Sequence, residues 1–120
     1  MTQEDKELLL KDLCGRLPYR MKVKTEHGYE TLECIDCFDL LDIRINVGNE
    51  NEYSLDEIKP YLFPLSSMTE EQREDYISIF YKKNDCWTIE TFDWFNRNHI
   101  DYRGLIEKSL ALDATNLNIY

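Results

Sequence analysis

The segment Lys59–Gln72, KPYLFPLSSMTEEQ, decides how the chain is organised. Pro60 and Pro64 bracket a short apolar stretch. Because proline fixes φ and lacks an N–H donor, this segment should form neither a helix nor a central strand. Thr69 stands at capping-box distance from Gln72, so a helix should begin there. The sequence therefore predicts a rigid joint between a strand-rich half and a helix-rich half.

Before the joint, the pattern changes from helical to strand-like. Leucines at helical spacing after a capping threonine predict a helix over residues 1–15, with Gly15 as its stop. Residues 19–53 alternate between apolar and polar side chains, most clearly at Leu41–Val47, which predicts an antiparallel meander. Residues 54–68 are predicted to form a short helix followed by the joint.

After the joint, residues 69–112 show helical patterns, beginning with a helix from Thr69 to Lys83 and ending with one around 103–112. Residues 113–120 are predicted to form a tail that is either a short edge strand or loose. The whole chain is predicted to be a single α+β domain with an N-terminal helix, a small antiparallel β-meander and a helical C-terminal half. The predicted apolar stripe of the first of these helices comprises Tyr76, Ile77, Phe80 and Tyr81.

Composition restricts the classes of function. The 120 residues carry a net charge of −10, which disfavours non-specific nucleic-acid binding and favours a basic protein partner, with solubility alone as the alternative. The longest apolar run is Leu8–Leu10, far below the about 20 residues that cross a bilayer. The acidic start argues against a secretory signal. We therefore expect a cytoplasmic protein with reduced cysteines and no membrane contact.

Cys34 and Cys37 have the spacing of a zinc site. They fall in a predicted strand, where positions three apart point to opposite faces and cannot share one ion. We therefore expect no metal, and ordinary buried, reduced cysteines. The chain also lacks a glycine-rich phosphate loop, so no cofactor is expected.

Cys86, His99 and Asp101 are the residues that could form a catalytic set. Nothing around Cys86 supplies a positive field to lower the thiol pKa. His99 is better explained as a helix-end residue that hydrogen-bonds a backbone carbonyl. We therefore predict no catalytic residues and no enzymatic activity.

An acidic surface is the favoured binding site. Glu33, Asp36, Asp39 and Asp42 recur along the predicted meander without the glycine turn of a divalent-ion loop. Trp94 lies out of phase with the apolar residues of its helix, which predicts an exposed anchor for a protein partner.

A basic face is the alternative site. Tyr19, Arg20, Lys22 and Lys24 are predicted to share one strand, where they could hold a nucleotide by stacking and charge. Cross-strand pairing of these cations with Glu33 and neighbouring acids is the structural explanation, and the acidity of the meander favours it.

At residues 59–72 and again at DYRGLIEKSLALDA, residues 101–114, the chain resembles a family of small proteins from Bacteroidales gut bacteria, their prophages and their phages. An N-terminal acidic helix that ends near Leu17–Tyr19 is a further shared feature. Residues 25–57 match nothing in the family, which indicates a shared scaffold with a variable face. The family has no established activity, so the resemblance implies a cellular context, a bacterial host cell, and no functional residues.

Together these features predict a non-enzymatic binding protein of phage or mobile-element origin. It would inhibit or redirect a host protein with a basic surface, for example a defence protein. The first alternative is a sponge that sequesters a nucleotide immune signal. The second is a structural or accessory protein without a ligand.

Overall fold

The computed structural model describes residues 1–39, 42–48, 51–82 and 86–120. Within these ranges the chain forms a helix, a mostly antiparallel sheet and two further helices, which confirms the predicted α+β class. Leu41 and Lys83, which the sequence patterns placed in a strand and a helix, lie outside the described residues. The helices are α1 (Gln3–Arg16), α2 (Glu70–Lys82) and α3 (Ile89–Arg97). The strands are β1 (Lys22–Thr25), β2 (Gly28–Asp39), β3 (Asp42–Val47), β4 (Asn51–Ser54), β5 (Lys59–Pro64), β6 (Ile100–Asp101) and β7 (Leu112–Asp113).

The strands lie in the order β4-β3-β2-β1-β5-β6, and β7 also pairs with β5. Strands β1 to β4 form the predicted antiparallel meander. The first part of β2 pairs with β1 and the later part with β3, with a register shift between Leu32 and Cys34. Strands β6 and β7 run parallel to β5.

The main core lies against one face of the sheet. Alternate residues of β1 and β3 are buried there, and Leu9 and Leu13 of α1 belong to the same cluster. Since successive strand residues point to opposite faces, the polar residues between them lie on the other side. We call that side the outer face. The buried strand residues include Val23, Ile43, Ile45 and Val47.

The cap of α1 follows the prediction, but its end does not. The backbone N–H of Asp5 donates to Oγ1 of Thr2 at 3.1 Å, and the N–H of Thr2 donates to the Asp5 carboxylate at 3.3 Å. Gly15 lies inside the helix instead of stopping it. A Cβ at this position would come within 3.1 Å of Nδ2 of Asn96, so the glycine allows α1 to approach α3 closely.

Helix α2 packs through a different stripe from the one predicted. Tyr76 and Ile79 contact a second core cluster formed around Phe95 of α3. Ile77 and Tyr81, which the sequence placed in the apolar stripe, are exposed. The reason is that only the narrow side of α2 that meets α3 is covered, so half of the predicted stripe faces solvent.

The proline-bracketed joint is strand β5, and β5 lies between β1 and β6, so the prediction that it avoids a central strand is wrong. The missing proline donors are tolerated because the ladder uses other groups. Phe63 donates its N–H to the His99 carbonyl at 2.8 Å, and the Leu62 carbonyl accepts from Ala114 at 2.8 Å. Pro60 itself pairs with Val23 in register and is buried.

The hydroxyl of Tyr120 completes the ladder between β1 and β5. The register of these strands places Lys22 opposite Tyr61. The N–H of Lys22 donates to the Tyr120 hydroxyl at 2.9 Å, and that hydroxyl donates to the Tyr61 carbonyl at 2.8 Å. The side chain therefore replaces a direct strand-to-strand hydrogen bond, and burial raises the pKa of its hydroxyl.

The helix predicted around residues 103–112 does not form. The Asp101 carboxylate accepts from the N–H groups of Leu105 and Ile106 at 2.9 and 3.0 Å. Gly104 and Ser109 have φ values of 73° and 60°, which a right-handed helix does not allow. The segment is therefore a series of turns between β6 and β7.

A buried ion pair in α1 connects this helix to the segment that follows α3. Nε of Arg16 lies 2.8 Å from Oδ2 of Asp12, and both side chains have no exposed surface. Arg16 also donates to the Ile100 carbonyl at 2.6 Å, and Nε of Arg103 lies 3.4 Å from the other Asp12 oxygen. Removal from water raises the pKa of the Asp12 carboxyl, and the Arg16 guanidinium opposes this shift.

Replacement of one partner of this pair should reduce the free energy of unfolding more, per substitution, than replacement of both. We expect Asp12→Leu and Arg16→Met each to reduce the free energy of unfolding by about 3–5 kcal/mol, because each leaves a buried charge without its partner. The double variant should lose less than the sum of the two. Urea unfolding of all four proteins measures this coupling, and strictly additive losses would contradict it.

Tyr120→Phe should destabilise the fold without changing its shape. Loss of the hydroxyl removes the partner of the Lys22 N–H and of the Tyr61 carbonyl. Because both bonds lie at the surface, where water can replace the hydroxyl, we expect the free energy of unfolding to fall by about 0.5–1.5 kcal/mol. Tyr81→Phe is the matched control, because Tyr81 is 66% exposed. Equal urea midpoints for the two variants would show that the bridge contributes nothing.

Candidate functional site

The acidic residues predicted from the sequence to form a binding surface lie along the outer face of the sheet and at its register shift. Directly paired residues of antiparallel strands project to the same face, so the register groups them. Asp36 pairs with Arg44, and Asp39 pairs with Asp42. Glu33 lies exposed at the register shift in β2. Glu52 of β4 pairs with Asn46 on the same face and was not part of the surface predicted from the sequence. We call Glu33, Asp36, Asp39, Asp42 and Glu52 the acidic face.

One cation lies among these carboxylates. Nε of Arg44 is 3.2 Å from Oδ1 of Asp42, and a second guanidinium nitrogen is 3.7 Å from Glu52. These neighbours raise the pKa of Arg44. Asn46 donates its amide to Asp36 at 3.1 Å. Because Arg44 is the only lysine or arginine in the described parts of β2, β3 and β4, the acidic face keeps a surplus of negative charge.

Trp94 is not part of an exposed site, and the prediction that it forms a surface anchor is wrong. Its side chain is 5% exposed and packs against Tyr76 and Phe95, with ring centroids 6.2 and 5.6 Å apart. The apolar residues with which Trp94 is out of phase, Ile89 and Phe92, are exposed. The buried positions are instead Thr91, Trp94 and Phe95, which share one side of the helix at the spacing i, i+3, i+4.

The exposed apolar residues of the helical half form a separate feature. Trp87 donates its indole N–H to the Tyr76 hydroxyl at 3.0 Å and meets Phe92 edge to face. Exposed aromatic side chains of this kind are enriched in protein interfaces. We call the following residues the aromatic surface: Tyr81, Trp87, Ile89 and Phe92, exposed by 66%, 41%, 82% and 37%.

Only two of the four residues predicted to form a basic strand face lie in one strand. Tyr19 ends a 3-10 turn, and Arg20 has a φ of 55°, so β1 begins only at Lys22. Lys22 and Lys24 do lie on the outer face, opposite Thr31 and Tyr29. Their cross-strand neighbours are therefore not the acids expected from the sequence.

The cysteines have the predicted geometry but not the predicted burial. Cys34 pairs with outward-facing Asn46 and Cys37 pairs with inward-facing Ile43, so the two thiols point to opposite faces. All four cysteines are free and exposed, which corrects the expectation of burial. Among the described residues, no group of three or more His, Cys, Asp or Glu side chains could hold a metal ion.

His99 and Asp101 both have structural contacts. The His99 ring stacks on Tyr120 with centroids 3.7 Å apart, and its backbone has a φ of 59°. Its Nδ1 atom is buried without a hydrogen-bond partner in the described part of the chain, so the expected backbone carbonyl is absent there. Burial, together with the charge of Arg16, lowers the pKa of His99 to about 4. The Asp101 carboxylate is occupied by two backbone donors.

The depressed pKa of His99 predicts a loss of stability in acid. Between pH 6.5 and about 4 the unfolded chain binds a proton that the folded chain does not. The stability is therefore complete above pH 6.5 and is lost as the pH falls through about 4. We expect the melting temperature of the wild type to fall more steeply over this range than that of His99→Asn, which tolerates the positive φ.

Differential scanning calorimetry at a series of pH values measures the two slopes. His27→Gln is the control, because the His27 side chain is 61% exposed and its removal should leave the slope unchanged. Parallel curves for the wild type and His99→Asn would contradict the assignment.

No protein-family model, curated protein or solved structure matches this chain. Within the described residues, no helix combines the length and the apolar character that a membrane span requires.

Proposed function

We propose that the protein is a non-enzymatic binding protein whose acidic face docks on a basic surface of another protein. The observation that carries this proposal is the grouping of Asp36, Asp39, Asp42 and Glu52 on the outer face of the sheet, with Glu33 exposed at the neighbouring register shift and Arg44 within ion-pair distance of Asp42 and Glu52. Arg44 can compensate only part of this charge, and exposed ion pairs of this kind contribute little to folding stability.

The physical advantage of such a surface lies in association. A field of one sign steers an oppositely charged partner, raises the association rate and disfavours acidic competitors. The net charge of −10 adds to this field. Behind the acidic face, Ile43 and Ile45 are anchored in the core, so the carboxylates are held on a rigid support before binding.

The resemblance to proteins of Bacteroidales bacteria and their phages supports a host protein as the partner. In this proposal the chain acts in the cytoplasm of a bacterial host, where it inhibits or redirects that protein. The aromatic surface adds a second area suited to protein contact, because exposed tryptophan and other aromatic side chains are enriched in interfaces.

Charge reversal tests the proposal. We expect Glu33→Lys/Asp36→Lys/Glu52→Lys to lose the partners that the wild type captures from a host lysate, because attraction becomes repulsion. Quantitative mass spectrometry compares the captured proteins. The partners that are lost should also leave the wild type as salt is raised, since exposed charges are screened over about 10 Å at 0.1 M salt.

The matched control is Glu70→Lys/Glu71→Lys/Glu74→Lys, which changes the net charge equally on exposed positions of α2. The proteins that the wild type captures should also bind this control variant. Equal capture by both triple variants, or equal loss from both, would show that the position of the acidic face does not matter.

A further inference from the structure

Cys14 and Cys37 lie at the edge of the main core, in two elements that both contribute to it. Cys37 of β2 pairs with Ile43, whose side chain is buried, so its thiol projects to the core side of the sheet. Cys14 belongs to the last turn of α1 and directly follows the buried Leu13. Both thiols are free and exposed, so an oxidant in solution can reach them.

Apolar neighbours of each cysteine pack against this same core. On α1, Leu10 and Leu17 share the side of Cys14, because residues three and four apart on a helix lie one above the other. On β2, Ile35 shares the face of Cys37, because it is two residues away. All three neighbours are half-buried against the main core cluster. The side of α1 with Cys14 and the face of β2 with Cys37 are therefore turned toward one core.

Two further observations bring the thiols near each other. The 3-10 turn Leu17–Tyr19, which continues α1, contacts β2 directly. Burial raises the pKa of the Cys14 thiol, and the charge of Cys37 raises it further, an electrostatic effect that weakens with distance. Cys34, by contrast, projects to the outer face of β2.

We infer that Cys14 and Cys37 form a reversible disulfide when the protein encounters a peroxide, so that the pair is a redox-sensitive link between α1 and β2. The bond joins the first helix to the strand that carries Asp36 and Asp39 of the acidic face. The inference concerns the bond itself and does not depend on the proposed protein partner.

The reaction is a two-electron oxidation. Because its raised pKa keeps Cys14 protonated near neutral pH, we assign the first step to Cys37. The Cys37 sulfur attacks one oxygen of hydrogen peroxide and the O–O bond breaks, which gives a sulfenic acid and one water. Cys14 then loses its proton and attacks the Cys37 sulfur, and the sulfenic oxygen leaves as a second water. Two thiols are thus oxidised to one disulfide while the peroxide is reduced to two waters.

Two variants that each keep one pair of cysteines test the bond. Cys34→Ser/Cys86→Ser keeps Cys14 and Cys37, whereas Cys37→Ser/Cys86→Ser keeps Cys14 and Cys34 on the opposite face of the same strand. With hydrogen peroxide in native buffer, we expect the first variant to form its intramolecular disulfide faster by about tenfold or more, because only its thiols project toward one core. Mass spectrometry of the digested, non-reduced protein detects the linked peptides.

Unfolding removes this difference and serves as the control. In concentrated urea the two variants should form their disulfides at similar rates, since the two loops differ little in length. Equal rates in native buffer, or failure of Cys14 and Cys37 to form a bond there, would overturn the inference. Neither result bears on the acidic face.

The stability of the oxidised protein provides a second readout. Oxidised Cys34→Ser/Cys86→Ser should melt about 5–15 °C above its reduced form, because the bond restricts the unfolded chain. Dithiothreitol should reverse this increase. An oxidised protein that melts at or below the temperature of the reduced one would show that the native fold does not accommodate the bond, and would contradict the inference.

Discussion

The buried ion pair between Asp12 and Arg16 is the interaction on which the arrangement of this molecule depends. A charge without access to water is costly unless its partners are in place, so the pair tolerates few orientations. Arg16 also donates to the carbonyl of Ile100, which belongs to the strand that follows α3. The first helix is thereby held against the last third of the chain, and this position of α1 supports the core side of the sheet.

Once one face of the sheet is buried, the other becomes available for function. Antiparallel sheets can present one face to the core and one to water, and the strands here do so by strict alternation in β3. The consequence is a separation of charge along the outer face. Carboxylates occupy the side of β3 and β4, whereas Lys24 and Lys59 occupy the side of β1 and β5.

Sequence patterns predicted the structure correctly where it depends on residues a few positions apart. They failed where it depends on contact with another helix or strand. The cap of α1 and the opposite orientation of Cys34 and Cys37 follow from spacing alone. The burial of Trp94 depends on α2 lying beside α3, and no periodicity within α3 could reveal which side would be covered. Likewise the proline-bracketed segment enters the sheet because its other backbone groups find partners far away in the chain, such as the Tyr120 hydroxyl for the Tyr61 carbonyl and the His99 carbonyl for the Phe63 N–H.

The α+β class, the antiparallel meander and four of the five residues of the acidic face could be predicted from the sequence, because alternation and capping act over a few neighbouring residues. Glu52 could not, since only the pairing of β4 with β3 brings it there. Long-range contacts were needed to place β5 inside the sheet, to bring Lys24 beside Lys59 and Tyr29, and to leave Trp87 and Ile89 exposed while Trp94 is buried. These outcomes depend on strand register and on helix-to-helix contact. Both join residues far apart in the chain, where local patterns carry no information.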